Sequence, residues 1–269
     1  MKALCADLAW EQNALDELVS ILTPATWETL APCGNWTVKD EICHLAYFDY
    51  TARLSATDPA AFQSHLVEDL GRIKNMDEAT EITLAKGRAM ATGDLLTWWR
   101  QERRQLVEAL VRLSPKDRLP WYGPPMSARS FASARLMETW AHGQDIYDVL
   151  AVERPASPGL RHIAHLGVTT FGWSFANRGM PVPETPVRVE LTAPSGEVWS
   201  WGDDAATQRI SGPAVDFCLV AIQRRHVDDT ALVVIGEVAR KWMELAQCFA
   251  GPPTLGPAAG TRGILKQRP

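Results

Sequence analysis

Apolar residues recur every three or four positions through the first part of the chain. Leu4, Leu8, Leu15, Leu18, Ile21 and Leu22 form one stripe, which predicts an amphipathic helix over Leu4–Leu22 that ends at Thr23-Pro24. Gly34-Asn35-Trp36-Thr37 reads as a turn. Thr37 is followed by Asp40, where a capping box needs its acid, and by Glu41, so a second helix is expected from Val38 to about Ala56. A shorter helix is predicted over Ala60–Lys74. A long one follows over Asp77–Leu113, with a break near Thr92-Gly93-Asp94 and a stop at Ser114-Pro115. Pro120, Gly123, Pro124 and Pro125 make Leu119–Met126 a loop, and a further helix runs from Ala128 to about Val149. Four long amphipathic helices joined by loops form the pattern of a helix bundle, whose interior commonly houses metal sites.

The pattern changes after Val152. A helical stretch carrying His162 and His165 leads to a Gly- and Pro-rich loop over 179–186. Val187–Thr192 alternates apolar and polar as a half-buried strand does. Pro194-Ser195-Gly196 is a turn signal, and Val198–Trp201 is the expected return strand. Ser211-Gly212-Pro213 is read as the opening of a helix through Arg224, and a last helix is expected over Ala231–Phe249. The fold class is therefore mainly α, with a four-helix bundle over residues 1–152 and a small α+β domain over 153–250. The segment 251–269, rich in Pro, Gly and basic residues, is expected to be disordered.

Composition narrows the function. The 269 residues are 46% hydrophobic and 22% charged, with a formal net charge of −5 and no basic stripe, so a nucleic-acid partner is not expected. The N-terminus has no signal-peptide pattern, and no apolar run reaches the roughly 18 residues of a membrane span. Five cysteines without a CxxC pair read as reduced thiols, and the expected location is the cytoplasm. Most of the eleven tryptophans should lie in the core or in a pocket wall. There is no nucleophile elbow, phosphate loop or dinucleotide fingerprint.

The candidate chemistry lies on two helices. Glu138 and His142 are four residues apart, which puts both side chains on one helical face. His44, on the second helix, can add a third ligand. His₂Glu with an open position is a catalytic zinc pattern, and Ni²⁺, Mn²⁺ and Fe²⁺ suit the same donors. Each element has a plainer reading: Glu and His at this spacing are usually a solvated pair, and a lone histidine is usually a satisfied core residue. Asp145 could orient a ligand imidazole or could pair with Arg135, itself expected in a structural ion pair. Cys43 should face away from the site, because adjacent helical residues point about 100° apart. His65, His162 and His165 have no complementary ligand pattern, with His65 a distant candidate.

The stretch Trp36-Thr37-Val38-Lys39-Asp40 through His44-Leu45-Ala46 resembles the entry to the second helix of the DinB/YfiT-like superfamily. Glu138-xxx-His142 followed by Gly143 and Asp145 is similar to the second metal motif of its mycothiol-dependent maleylpyruvate isomerase branch. The resemblance implies a DinB-like metal-binding bundle with His44, Glu138 and His142 as ligands, a smaller C-terminal domain, and a homodimer as in many members. Ile210–Asp216 followed by Arg224-Arg225 resembles that branch's second domain and implies Arg225 as an active-site arginine that could grip a carboxylate, with Arg224 next. The alternative for Arg225 is a surface arginine at a helix end. The implied activity is metal-dependent activation of a low-molecular-weight thiol such as mycothiol, for S-transfer to, or isomerisation of, a small electrophile. The rivals are metal-assisted hydrolysis or lyase chemistry with water, and a non-catalytic metal-binding or regulatory protein.

Overall fold

The computed structural model describes residues 1–32, 35–71, 73 and 75–262. Cys33, Gly34, Arg72, Lys74 and the end of the basic tail (263–269) lie outside the described residues. The chain divides into two compact units, Met1–Val152 and Glu153–Pro269. The protein is mainly α, with a small α+β second unit.

In the first unit the long helices are α1 (Lys2–Ser20), α3 (Val38–Thr57), α6 (Thr92–Leu110) and α7 (Ala128–Leu150). The shorter α2 (Pro24–Trp27), α4 (Pro59–Leu70) and α5 (Met76–Arg88) lie between them. The helix α3 packs against α4, α5, α6 and α7, and α1 packs against α6 and α7. This surrounding explains why α3 buries polar as well as apolar positions: Asp40, Glu41, Asp49 and Thr51 are buried beside Ile42, Leu45 and Ala46. Thr37 and Asp40 close the capping box at its start, with Thr37 Oγ1 accepting from the Asp40 N–H at 3.2 Å and Asp40 Oδ2 accepting from the Thr37 N–H at 3.0 Å. The expected break in the long helix falls slightly earlier, at 89–91. There Lys39 Nζ donates to the carbonyls of Arg88 and Met90 and satisfies the end of α5. The expected Pro-rich loop is pinched at its base by two-residue strands, β1 (Arg118–Leu119) and β2 (Met126–Ser127).

One carboxylate joins all four long helices. Asp49 of α3, fully buried, accepts from Arg135 of α7 through Nε and Nη2 at 3.1 and 2.9 Å. It also accepts from Trp99 Nε1 of α6 at 3.1 Å and from Gln12 Nε2 of α1 at 3.4 Å.

In the second unit α8 (Leu160–Thr169) and α9 (Phe171–Ala176) precede a four-stranded sheet in the order β4-β3-β5-β6. The hairpin of β3 (Val187–Thr192) and β4 (Val198–Trp201) is antiparallel, as the alternation predicts. Two other expectations are corrected. Residues Gln208–Pro213, expected to enter a helix, form β5, which pairs parallel with β3. The helix α10 spans only Ala214–Ala221. Pro213 ends the strand because it has no N–H to donate, and its φ of −62° starts the helix. Within the expected last helix, the β-branched run Val233–Ile235 forms β6 against β5, and α11 covers only Glu237–Leu245. Gly236, at φ 94°, makes the bend between them. Past Gly251 no regular element occurs up to residue 262. The segment is nevertheless held at Thr254, whose hydroxyl lies 2.6 Å from Gln223 Oε1 and whose N–H donates to Gln247 Oε1 at 3.3 Å. Among the described residues no helix is long and apolar enough to cross a membrane.

Candidate metal centre

The crossing of α3 and α7 brings together the three residues singled out in the sequence. Glu138 Oε2 lies 3.7 Å from His44 Nε2 and 3.2 Å from His142 Nε2. The two imidazole centroids are 4.2 Å apart, and one ligand atom from each residue falls within 4.8 Å of the others. Ligand atoms arranged tetrahedrally at zinc distances stand about 3.3 Å from one another. The observed spacings bracket that value, so the donor set fits a divalent cation. The cluster is half-buried: the Glu138 side chain is 26% exposed, against 16% for His44 and 11% for His142. Its open side therefore lies at the carboxylate.

Aromatic rings frame the imidazoles. Trp36 stacks on His142 at 5.7 Å and 17° and tilts over His44 at 5.1 Å. Phe48, one turn beyond His44, packs on it at 4.6 Å and continues to Trp121 and Tyr122 of the pinched loop. Behind His142, its Nδ1 lies 2.6 Å from Oε2 of the fully buried Glu41.

The charges interlock. Burial works to raise the Glu138 carboxyl, but hydrogen bonds to His142 and His44 outweigh it and hold the group well below its usual range. Burial likewise opposes protonation of His142, yet Glu138 and Glu41 raise its pKa to about 9. Burial, reinforced by the neighbouring His142 charge, depresses His44 to about 3. The two carboxylates thus favour a positive charge on His142 over one on His44.

Other candidates fall elsewhere. Arg135 takes the structural pair expected of it, with Asp49 as partner. Asp145 is fully buried and forms a second potential ligand group with Glu41 and His142. Cys43 faces away from the cluster, against Gly87 of α5. His65 is held 3.3 Å from Asp69 and 3.3 Å from the Tyr47 hydroxyl. His165 faces the Trp201 indole N–H at 3.2 Å. Arg225 belongs to the second unit. It is buried rather than on the surface, and donates through Nη1 to the Arg224 carbonyl at 2.7 Å. Glu41 is the residue that sequence reasoning used only as part of a helix start. The signal was present, because Glu41 lies three residues before His44 and so shares its helical face.

The profile of the mycothiol maleylpyruvate isomerase N-terminal domain family matches residues 8–147, and that of wyosine base formation matches residues 183–235. Proteins of Mycobacterium tuberculosis strains CDC 1551 / Oshkosh and ATCC 25618 / H37Rv, each described only as uncharacterized, are 43% identical over 253 residues. The match covers 93% of this chain and 96% of theirs. The crystal structure of the mycothiol-dependent maleylpyruvate isomerase superposes with a TM-score of 0.56 at 16% identity, covering 83% of this chain and 89% of that one. A histidine-to-alanine mutant of it gives 0.57 at 16% identity, with 84% and 90% coverage. At that identity the likeness concerns the fold.

Proposed function

Because the chain belongs to the mycothiol maleylpyruvate isomerase N-terminal domain family, we propose that it is a metal-dependent enzyme that activates a low-molecular-weight thiol for transfer to, or isomerisation of, a small electrophile. The observation that carries this reading is the convergence of His44, Glu138 and His142 at spacings suited to one divalent cation with an open side. Zn²⁺ is the first choice for two imidazoles and a carboxylate. A cation held there would supply the positive charge that lowers the pKa of a thiol at the open side.

The protein's own residues set the rest. The single carboxylate of Glu138 cancels only one of two positive charges, and the two imidazoles donate without adding charge, so the set preserves attraction for an anionic sulfur. Trp36 and Phe48 cover the imidazole faces and exclude water from them. An activated thiol adds to an electrophilic double bond. In an isomerase the carbon–carbon bond then rotates and the thiol leaves; in a transferase it stays. Mycothiol is the candidate thiol, since the family description and the similarly folded crystal structures name it. Arg225 is the candidate for holding a substrate carboxylate, for which Arg225→Lys should raise KM by removing the bidentate grip.

The test is metal content by mass spectrometry of the parent and of His142→Ala, followed by turnover of electrophiles with and without added thiol. About one equivalent of metal in the parent, its loss in the variant, and thiol-dependent turnover support the proposal. Turnover without thiol would assign metal-assisted hydrolysis or lyase chemistry instead. Binding without turnover on any electrophile would make this a metal-binding or regulatory protein. A parent that takes up none of Zn²⁺, Ni²⁺, Mn²⁺ or Fe²⁺ would refute the centre itself.

A further inference from the structure

The His142 imidazole meets a carboxylate at each nitrogen, and the two gaps differ. Nε2 and Glu138 Oε2 are 3.2 Å apart, close to the spacing of about 3.3 Å between atoms that share a tetrahedral zinc-sized ion. Nδ1 and Glu41 Oε2 are 2.6 Å apart, shorter than any such pair and just under the roughly 2.7–2.9 Å of a charge-assisted N–H···O hydrogen bond. An ion fits the first gap, and only a proton fits the second. Burial sorts the two potential ligand groups the same way. The group containing Glu138 is open at that carboxylate, whereas in the group of Glu41, His142 and Asp145 both carboxylates are fully buried. Glu41 also sits on the same helix as His44, less than one turn ahead of it, so a single element presents one ligand and braces the other.

We infer that Glu41 is a positioning residue for the metal centre. It accepts the Nδ1 proton of His142, keeps the Nε2 lone pair aimed at the side shared with Glu138 and His44, and fixes the ring in the plane that stacks on Trp36. The inference rests on the reading that this cluster holds a divalent cation. A purely structural Glu41 would satisfy a buried histidine and leave metal affinity alone. Glutamine at this position makes the distinction, because it is nearly isosteric, has no charge, and can turn its amide to donate to Nδ1. That rotation favours the tautomer whose Nε2 carries the proton and cannot bind metal.

The experiment titrates Zn²⁺ into metal-free parent, Glu41→Gln and Glu41→Asp against a chromophoric chelator. Long-range 1H–15N NMR of the Zn²⁺-loaded parent assigns the His142 nitrogens. The expected results are an affinity roughly 10- to 100-fold weaker in Glu41→Gln, a smaller loss in Glu41→Asp, and a parent in which Nδ1 carries the proton. Parent-like affinity in Glu41→Gln would overturn the inference, as would a His142 ring protonated at Nε2 in the loaded parent. If Glu41→Gln does not fold, the NMR assignment of the parent decides. A parent that binds no Zn²⁺ refutes the metal reading, an outcome distinct from a parent that binds and a variant that binds equally well.

Discussion

Replacing Asp49 by alanine is expected to destabilise the bundle by about 3–5 kcal/mol, the cost of stranding a buried charge. The structure explains why the value should sit in that range. Arg135 is 4% exposed and directs both Nε and Nη2 at one Asp49 oxygen, so the guanidinium would lose its counter-charge with no access to water. The Trp99 indole and the Gln12 amide would lose their acceptor as well. For a unit of this size, about 2–4 °C of midpoint accompanies each kcal/mol, so calorimetry should show a fall of roughly 6–20 °C. Arg135→Met should cost a similar amount through the unpaired carboxylate. The double variant Asp49→Leu/Arg135→Met removes both charges and should be more stable than either single variant. A loss below about 1 kcal/mol in either single variant would refute the reasoning, because it would mean the pair is solvated or replaced by other partners. A double variant as unstable as the sum of the singles would refute it too.

Two further outcomes follow from the geometry. Metal uptake should release about one proton near neutral pH, because His142, held protonated up to about 9 by Glu138 and Glu41, must give up its proton to bind. Apparent affinity should then rise about tenfold per pH unit up to that value and level off above it. Calorimetric titration in buffers of different ionisation enthalpy counts the proton, and an affinity flat between pH 6 and 8 would contradict the assignment. Gly87→Ala should destabilise despite alanine's better helix propensity, because the added methyl would overlap the Cys43 sulfur and lie 3.2 Å from the Cys43 backbone Cα. Its thermal midpoint is the measurement, and a gain in stability would show that α5 moves freely away from α3.

The sequence carried the bundle because its signals are local. The Thr37–Asp40 cap, the apolar stripes and the Glu138–His142 spacing all operate within a turn or two of helix. The Asp49 junction and the Glu41–His142 contact were invisible for the opposite reason, since their partners lie 86 and 101 positions away. A buried acid on a helix with few exposed faces looks, in sequence, like any surface acid. In the second unit, Gly212-Pro213 and Val233–Ile235 were misread because a helix start and a strand end share the same residues. The β-branched run is also too short for its period to be read.

The packing of Cys43 has one more implication. An enzyme that sharpens thiols beside reactive electrophiles risks being modified on its own sulfur, and Cys43 adjoins a candidate ligand in sequence. Its sulfur is instead turned into the seam with α5, and burial pushes the thiol up to about 12, so scarcely any thiolate exists there at neutral pH. Cys5, Cys218 and Cys248 are buried as well. The proposed chemistry would thus work on borrowed sulfur while these four side chains stay out of the exchange. Each of these four sulfurs would resist both alkylation by the substrate and capture as a mixed disulfide with the thiol partner.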